Sequence, residues 1–245
     1  MHRRRWAHDY TEDHLGDGGS GIGEAVVRRL AGEGHVVVAG ARRTDRLVAL
    51  ADSAEGAVEA VRVDVTARDD VRAFVDSARE RHGRVDVLVN NAGVMPLSRL
   101  DALLVDEWDR MVDVNLRGLL HGIAAALPVF TEQGGGHFVT TASIGAHQVV
   151  PTAAVYSGTK YAAWAITEGL RLESDPSIRV TTLTPGVVTS ELADSISDPD
   201  AAGGMRTYRA HAIDPDAIAR AVSFALAQPE DVDVNEIVVR PARQR

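Results

Sequence analysis

With 245 residues, 45% of them apolar, the chain is long enough for one large α/β domain and short for two ordinary ones. A formal charge of −9 argues against nonspecific binding to nucleic acid, whose phosphates attract a basic face. The absence of cysteine excludes disulfides and thiolate metal sites, and no metal site is expected. No apolar run reaches the length of a membrane span. The basic opening Met1-His2-Arg3-Arg4-Arg5-Trp6 is not followed by the apolar stretch of a secretion signal. The expectation is a soluble, cytoplasmic protein with no membrane or nucleic-acid partner.

In chain order, Gly19-Ser20-Gly21-Ile22-Gly23 opens a segment, Gly21 to Gly34, whose apolar residues Ile22, Ala25, Val26 and Leu30 have helical spacing. Val36-Val37-Val38-Ala39 reads as a buried strand, Ala57 to Val65 as a second, and Val85 to Asn90 as a third. Gly136–Thr141, Ile178–Thr184 and Ile237–Val239 complete the set. Helical patterns fall between them, at about Arg68–His82, Asp101–Val112, Leu116–Thr131, Ala153–Glu173 and Asp214–Ala227. Strands that alternate with helices predict a doubly wound parallel sheet of the Rossmann type, helices on both faces, with ligands at the carboxyl ends of the strands. Residues 18–245 form that one domain. Ser195–Thr207, with Pro199 and Gly203-Gly204, reads as a mobile loop over the site.

Several residues carry chemistry. Glycines at a helix start let a pyrophosphate approach free N–H groups and a positive dipole end, although such starts are often only turns. The strand Val36–Ala39 runs into Ala41-Arg42-Arg43. An acid there would bind a ribose 2′-hydroxyl; two arginines suit a 2′-phosphate, unless they are simply a solvated helix start. Asp64 is placed to accept from an adenine amino group, and Asn90-Asn91-Ala92-Gly93 ends the following strand, beside where such a cofactor would lie. Tyr156 and Lys160 are four apart and share a helix face. A free phenol titrates near 10, and a neighbouring ammonium lowers that value. Lys160 is the one lysine among 26 basic residues. The bland alternative for the pair is a helix-surface contact.

Together these pieces resemble the short-chain dehydrogenase/reductase family in its single-domain form. The matching segments are Gly21-Ile22-Gly23, Asp64-Val65, Asn90-Asn91-Ala92-Gly93, Asn115, Ser143, Tyr156-Ser157-Gly158-Thr159-Lys160 and Pro185-Gly186. The tail Val234–Pro241 is similar to the branch of NADP-dependent members that includes clavulanate dehydrogenase. The resemblance implies an NADP(H)-dependent oxidoreductase, with NAD(H) possible, that moves a hydride between nicotinamide and an alcohol or carbonyl substrate. It implies Tyr156 as general acid/base and Lys160 as its tuner and ribose ligand. Ser143, otherwise a turn residue, would orient the substrate oxygen. Asn115, otherwise a helix N-cap, would hold a water in a proton relay. Cofactor contacts would come from Ser20, Gly21, Ile22, Gly23, Arg42, Arg43, Asp64, Val65, Asn91, Ala92, Gly93, Pro185, Gly186, Val188 and Ser190, with Thr189 beside the last. His147, Gln148 and the Ser195–Thr207 loop are expected to line the substrate pocket. A homodimer or homotetramer is expected, built on the helices after Asn115 and Ser143, where Ala162-Ala163-Ala165 fits close contact.

The N-terminus departs from the family. Residues 1–17 carry Arg5-Trp6-Ala7-His8-Asp9 where an apolar first strand belongs, and the Thr-Gly of the family loop falls on Gly16 and Asp17. A central strand buried on both faces ordinarily reads as an apolar run. The first strand is therefore expected to be atypical or missing, either from a frameshifted or miscalled start, the favoured reading, or as a true variant. The alternative function is a catalytically impaired dinucleotide-binding or regulatory protein on the same fold.

Overall fold

The computed structural model describes residues 5–9, by backbone alone, and 21–244. Residues 10–20, and with them Ser20, Asp17 and most of the glycine turn, lie outside the described residues.

Among the described residues, seven parallel strands form one sheet in the order β3-β2-β1-β4-β5-β6-β7. They are β1 (Arg5–Asp9), β2 (Val36–Ala41), β3 (Ala57–Arg62), β4 (Val87–Asn90), β5 (Gly136–Thr141), β6 (Ile178–Pro185) and β7 (Glu236–Val239). The helices are α1 (Ile22–Gly32), α2 (Thr44–Ser53), α3 (Arg68–His82), α4 (Val105–Val112), α5 (Gly118–Gln133), α6 (Ala154–Glu173), α7 (Pro199–Tyr208) and α8 (Asp216–Ala227). This is the doubly wound Rossmann-type arrangement, with the crevice where the order reverses between β1 and β4.

The first strand is present, in its central place. Ala7 is in register with Val38 of β2 on one side and Leu88 of β4 on the other. Its sequence is atypical, yet an empty slot there would leave two rows of backbone N–H and C=O groups without partners, and that demand outweighs the poor strand composition.

Strand side chains alternate between two cores. Val38, Leu88, Phe138 and Val180 face the layer of α3, α5 and α6. Val37, Ala39, Val87, Val89, Val139 and Leu183 face α1 and α8. Phe130 of α5 packs on Phe138 of β5 with ring centroids 4.8 Å apart.

Three local differences from the sequence reading matter for the site. Helix α2 follows directly on Arg43, its N-cap. Most of the segment expected as a loop, Ser195–Thr207, is ordered in α7, which follows a short 3-10 turn, Glu191–Ser195; Asp198 caps α7 through Ala201 N–H, and Pro199 opens its first turn, where it has no N–H to lose. Finally, α4 and α5 are joined by a π-helical turn, Asp113–Arg117, into one helix, Val105–Gln133. That helix is long and apolar enough to cross a bilayer, contrary to the sequence reading, but it packs on the sheet and against α3 and α6 as a core helix does.

Candidate active site

The four residues singled out for chemistry converge at the carboxyl ends of β4 and β5. Ser143 follows β5, and its Oγ accepts from the Gly145 N–H at 3.0 Å, which fixes the turn. Tyr156 and Lys160 lie in the first half of α6, both buried. The Lys160 Nζ donates to the Thr141 carbonyl at 2.9 Å and sits 6.0 Å from the Tyr156 ring centroid.

Asn115 is not an N-cap. It lies inside the π turn, where its Oδ1 accepts from Val94 N–H at 2.8 Å and its Nδ2 donates to Val94 C=O at 3.0 Å and Thr159 Oγ1 at 3.1 Å. Thr159 in turn donates to the Tyr156 carbonyl at 2.7 Å. Gly93 lies beside both side chains: a Cβ added there would be 3.6 Å from Asn115 Oδ1 and from Lys160 Nζ, an ordinary contact distance. Below it, Asn90 is buried at the end of β4 under Gly122, where a Cβ would come within 2.1 Å of its Oδ1.

Burial pushes the Tyr156 phenol above its ordinary value, and the Ser143 hydroxyl pulls it back in part. The sequence leads one to expect a phenol lowered by the neighbouring ammonium; its direction is instead set by enclosure.

Ile22, Asn91, Gly93, Pro185, Gly186, Val188 and Ser190 line one cleft with Ser143, Tyr156 and Lys160. Gly21 caps α1, and no side chain caps it among the described residues. Gly23 is buried in its first turn, and Ala92 packs against the core. Val65 lies outside the cleft under Gly118, its carbonyl 2.8 Å from His121 Nδ1. Of the two hydroxyls considered, Ser190 lines the cleft; the backbone N–H of Thr189 is tied to the Ile213 carbonyl at 2.9 Å.

At the far end, burial raises the Asp64 carboxyl, but bonds from Thr66 N–H at 2.9 Å and Oγ1 at 2.7 Å, with Arg42 and Arg62 nearby, leave it below its ordinary value. Burial lowers Arg42, with Asp64 opposing. Arg43 reaches Glu191 at 3.4 Å.

A second, more apolar cleft shares Ser143, Tyr156, Gly186, Val188, Ser190 and Leu192 with the first. Gln148 and Met205 line it as expected. His147 does not: its Nε2 lies 2.6 Å from Glu236 Oε1 and its ring stands edge-on to Trp164. Of the 195–207 segment only Met205 reaches the cleft, because helix formation turns the rest away. Met95, Leu97, Val150, Tyr208 and Arg209 line it as well, without a local signal that marks them in the sequence. Arg209 fastens α7 to the loop after β6, its Nη2 donating to the carbonyls of Val188 at 3.2 Å and Ser190 at 2.6 Å. Among the described residues no group of three His, Asp or Glu is placed to hold a metal ion.

Known proteins give the same picture. The short chain dehydrogenase family matches residues 16–201. An uncharacterized oxidoreductase of Staphylococcus saprophyticus is 47% identical over 229 residues, covering 92% of this chain and 93% of the relative. The alcohol dehydrogenase of the archaeon Thermococcus sibiricus, solved with 5-hydroxy-NADP, superposes with a TM-score of 0.82 at 31% identity over 99% of both chains. The 3-ketoacyl-(acyl-carrier-protein) reductase of Brucella melitensis, solved with NADH, gives 0.83 at 28% identity over 99% of this chain and 98% of that one. With its parallel sheet, its crevice and the residues gathered there, the chain belongs to the short-chain dehydrogenase/reductase family of oxidoreductases.

Proposed function

We propose that this protein is an NADP(H)-dependent alcohol/carbonyl oxidoreductase in which Tyr156 is the general acid/base. The observation that carries the reading is that Tyr156 and Ser143 stand in the wall common to two clefts, the second more apolar than the first. A reacting oxygen lying there is within reach of both hydroxyls.

The residues present fit a dinucleotide. The uncapped first turn of α1 offers backbone N–H groups to a pyrophosphate. Gly93 and Gly186 line the cleft without side chains of their own. Gly21, Ile22, Gly23, Asn91, Ala92, Gly93, Pro185, Gly186, Val188 and Ser190 would hold the cofactor, Asp64 and Val65 its adenine side, and Lys160 its ribose. Arg42 and Arg43 at the end of β2 support NADP(H) over NAD(H), because guanidinium groups match a phosphate. When bound, the cofactor supplies or takes up the hydride.

In carbonyl reduction Tyr156 gives its proton to the substrate oxygen while Ser143 orients that oxygen; in oxidation Tyr156 takes the proton back. The raised phenol keeps its proton near neutrality, which suits the acid role. Lys160, held by the Thr141 carbonyl, places a fixed positive charge beside the phenol. Asn115 ties the loop at Val94 to Thr159 of α6 and thereby holds the helix that carries Lys160 and Tyr156 against that loop. A homodimer or homotetramer is part of this reading: Leu120 of α5 and Tyr161 of α6 are exposed, although Ala163 is turned into the core.

Turnover of a ketone panel with NADPH and with NADH, in the wild type and in Tyr156→Phe, tests the proposal. NADPH oxidation by the wild type and its loss in the variant are expected. No turnover by the wild type despite NADPH binding would favour the non-catalytic alternative.

A further inference from the structure

Glu191 is a nearly inaccessible acid, 6% exposed, that the proposed chemistry does not use. It opens the 3-10 turn Glu191–Ser195, between Ser190 and Leu192, which line both clefts. Its carboxylate reaches α2. Arg46 Nη1 donates to both carboxylate oxygens at 2.9 Å, and Arg43 Nη2 to Oε2 at 3.4 Å. Arg43 and Arg46 follow β2, Glu191 follows β6, and three strands, β1, β4 and β5, lie between those two in the sheet. The ion pair therefore spans the carboxyl rim of the sheet, over the crevice. An acid held between two guanidinium groups has the charge arrangement that a phosphate would take in the same place.

We propose that Glu191 is a built-in competitor for the cofactor's 2′-phosphate, and so sets how strongly the protein discriminates NADP(H) from NAD(H). The proposal rests on the NADP(H) reading. A 2′-phosphate that draws Arg43 and Arg46 toward itself displaces the carboxylate, so part of its binding free energy is spent on breaking the pair. A ligand without the 2′-phosphate leaves the pair intact.

The test is calorimetric binding of adenosine 2′,5′-bisphosphate and of adenosine 5′-phosphate to the full-length wild type and to Glu191→Gln, which keeps size and removes charge. Glu191→Ala is the second variant, and thermal melts check that both are folded. The expected result is that the variants bind the bisphosphate about three- to fivefold more tightly, the upper part of the range of one ion pair, while the monophosphate changes by less than about twofold. If the wild type prefers the bisphosphate and the variants bind it no better, Glu191 does not compete, and the NADP(H) reading still stands. If wild type and variants alike bind both ligands equally, the NADP(H) reading fails and this proposal with it.

Discussion

Around Tyr156 the cleft is held by short hydrogen bonds between buried side chains and backbone; around Arg43 it is held by ion pairs whose arginines keep partial contact with water. Asn115, Thr159, Lys160 and the carbonyl of Thr141 form a neutral-to-cationic lattice that water reaches poorly. Arg43, Arg46 and Glu191 form a charged bridge between two elements far apart in sequence. The first kind of site is sensitive to position and indifferent to salt. The second tolerates small displacements and responds to competing anions and to ionic strength.

The largest expected effect breaks the first end. Tyr156→Phe removes the only proton carrier proposed at the reacting oxygen, and turnover should fall by about 10²- to 10⁴-fold with dinucleotide affinity nearly unchanged. A variant that retains more than a few per cent of activity would show that Tyr156 is not the acid/base. The same substitution reads the phenol's ionisation. Because burial raises it, the absorbance difference between cofactor-free wild type and Tyr156→Phe should develop only above the ordinary value of about 10. The proton is thus held through neutrality and lost on the alkaline side, and a phenolate signal already at neutral pH would contradict that sign.

Asn115→Leu should come next. It strands the buried N–H and C=O of Val94, which costs about 2–4 kcal/mol in urea unfolding, with the added loss of turnover that a shifted Lys160 brings. At the other end, Arg43→Ala should weaken NADP⁺ binding by about 10- to 100-fold and leave NAD⁺ binding nearly alone. Raising the salt should erode NADP⁺ affinity in the wild type much more than in that variant; equal erosion would remove the electrostatic distinction between the two ends. The smallest effect belongs to a residue outside both ends. His147→Ala should change KM for a good ketone by less than about twofold, since its ring is committed to Glu236 and Trp164, a partly exposed contact.

Most of the sheet was legible because strands β2, β4, β5 and β6 are dense in β-branched and apolar residues between turns. Helix α2 was not, because only Leu47 and Leu50 are buried in it, too few for a periodic signal. Helix α7 is masked in the sequence by Gly203 and Gly204, which signal a loop, although Asp198-Pro199 is a helix-start pair. Strand β1 has no local signal at all, since its pairing is dictated by its two neighbours. At the site, Tyr156 and Lys160 could be paired from helical spacing alone. The Glu191–Arg46 pair could not, since its members are separated by 145 positions and neither belongs to a motif.

The lone lysine has a further use. Protein grown on lysine labelled with ¹⁵N at Nζ would give a single side-chain ammonium resonance, from Lys160, with nothing to assign. Enclosure and the bond to the Thr141 carbonyl slow its proton exchange with solvent, the condition for seeing such a signal. The molecule thereby carries a one-atom spectroscopic reporter where ribose, phenol and backbone are proposed to meet.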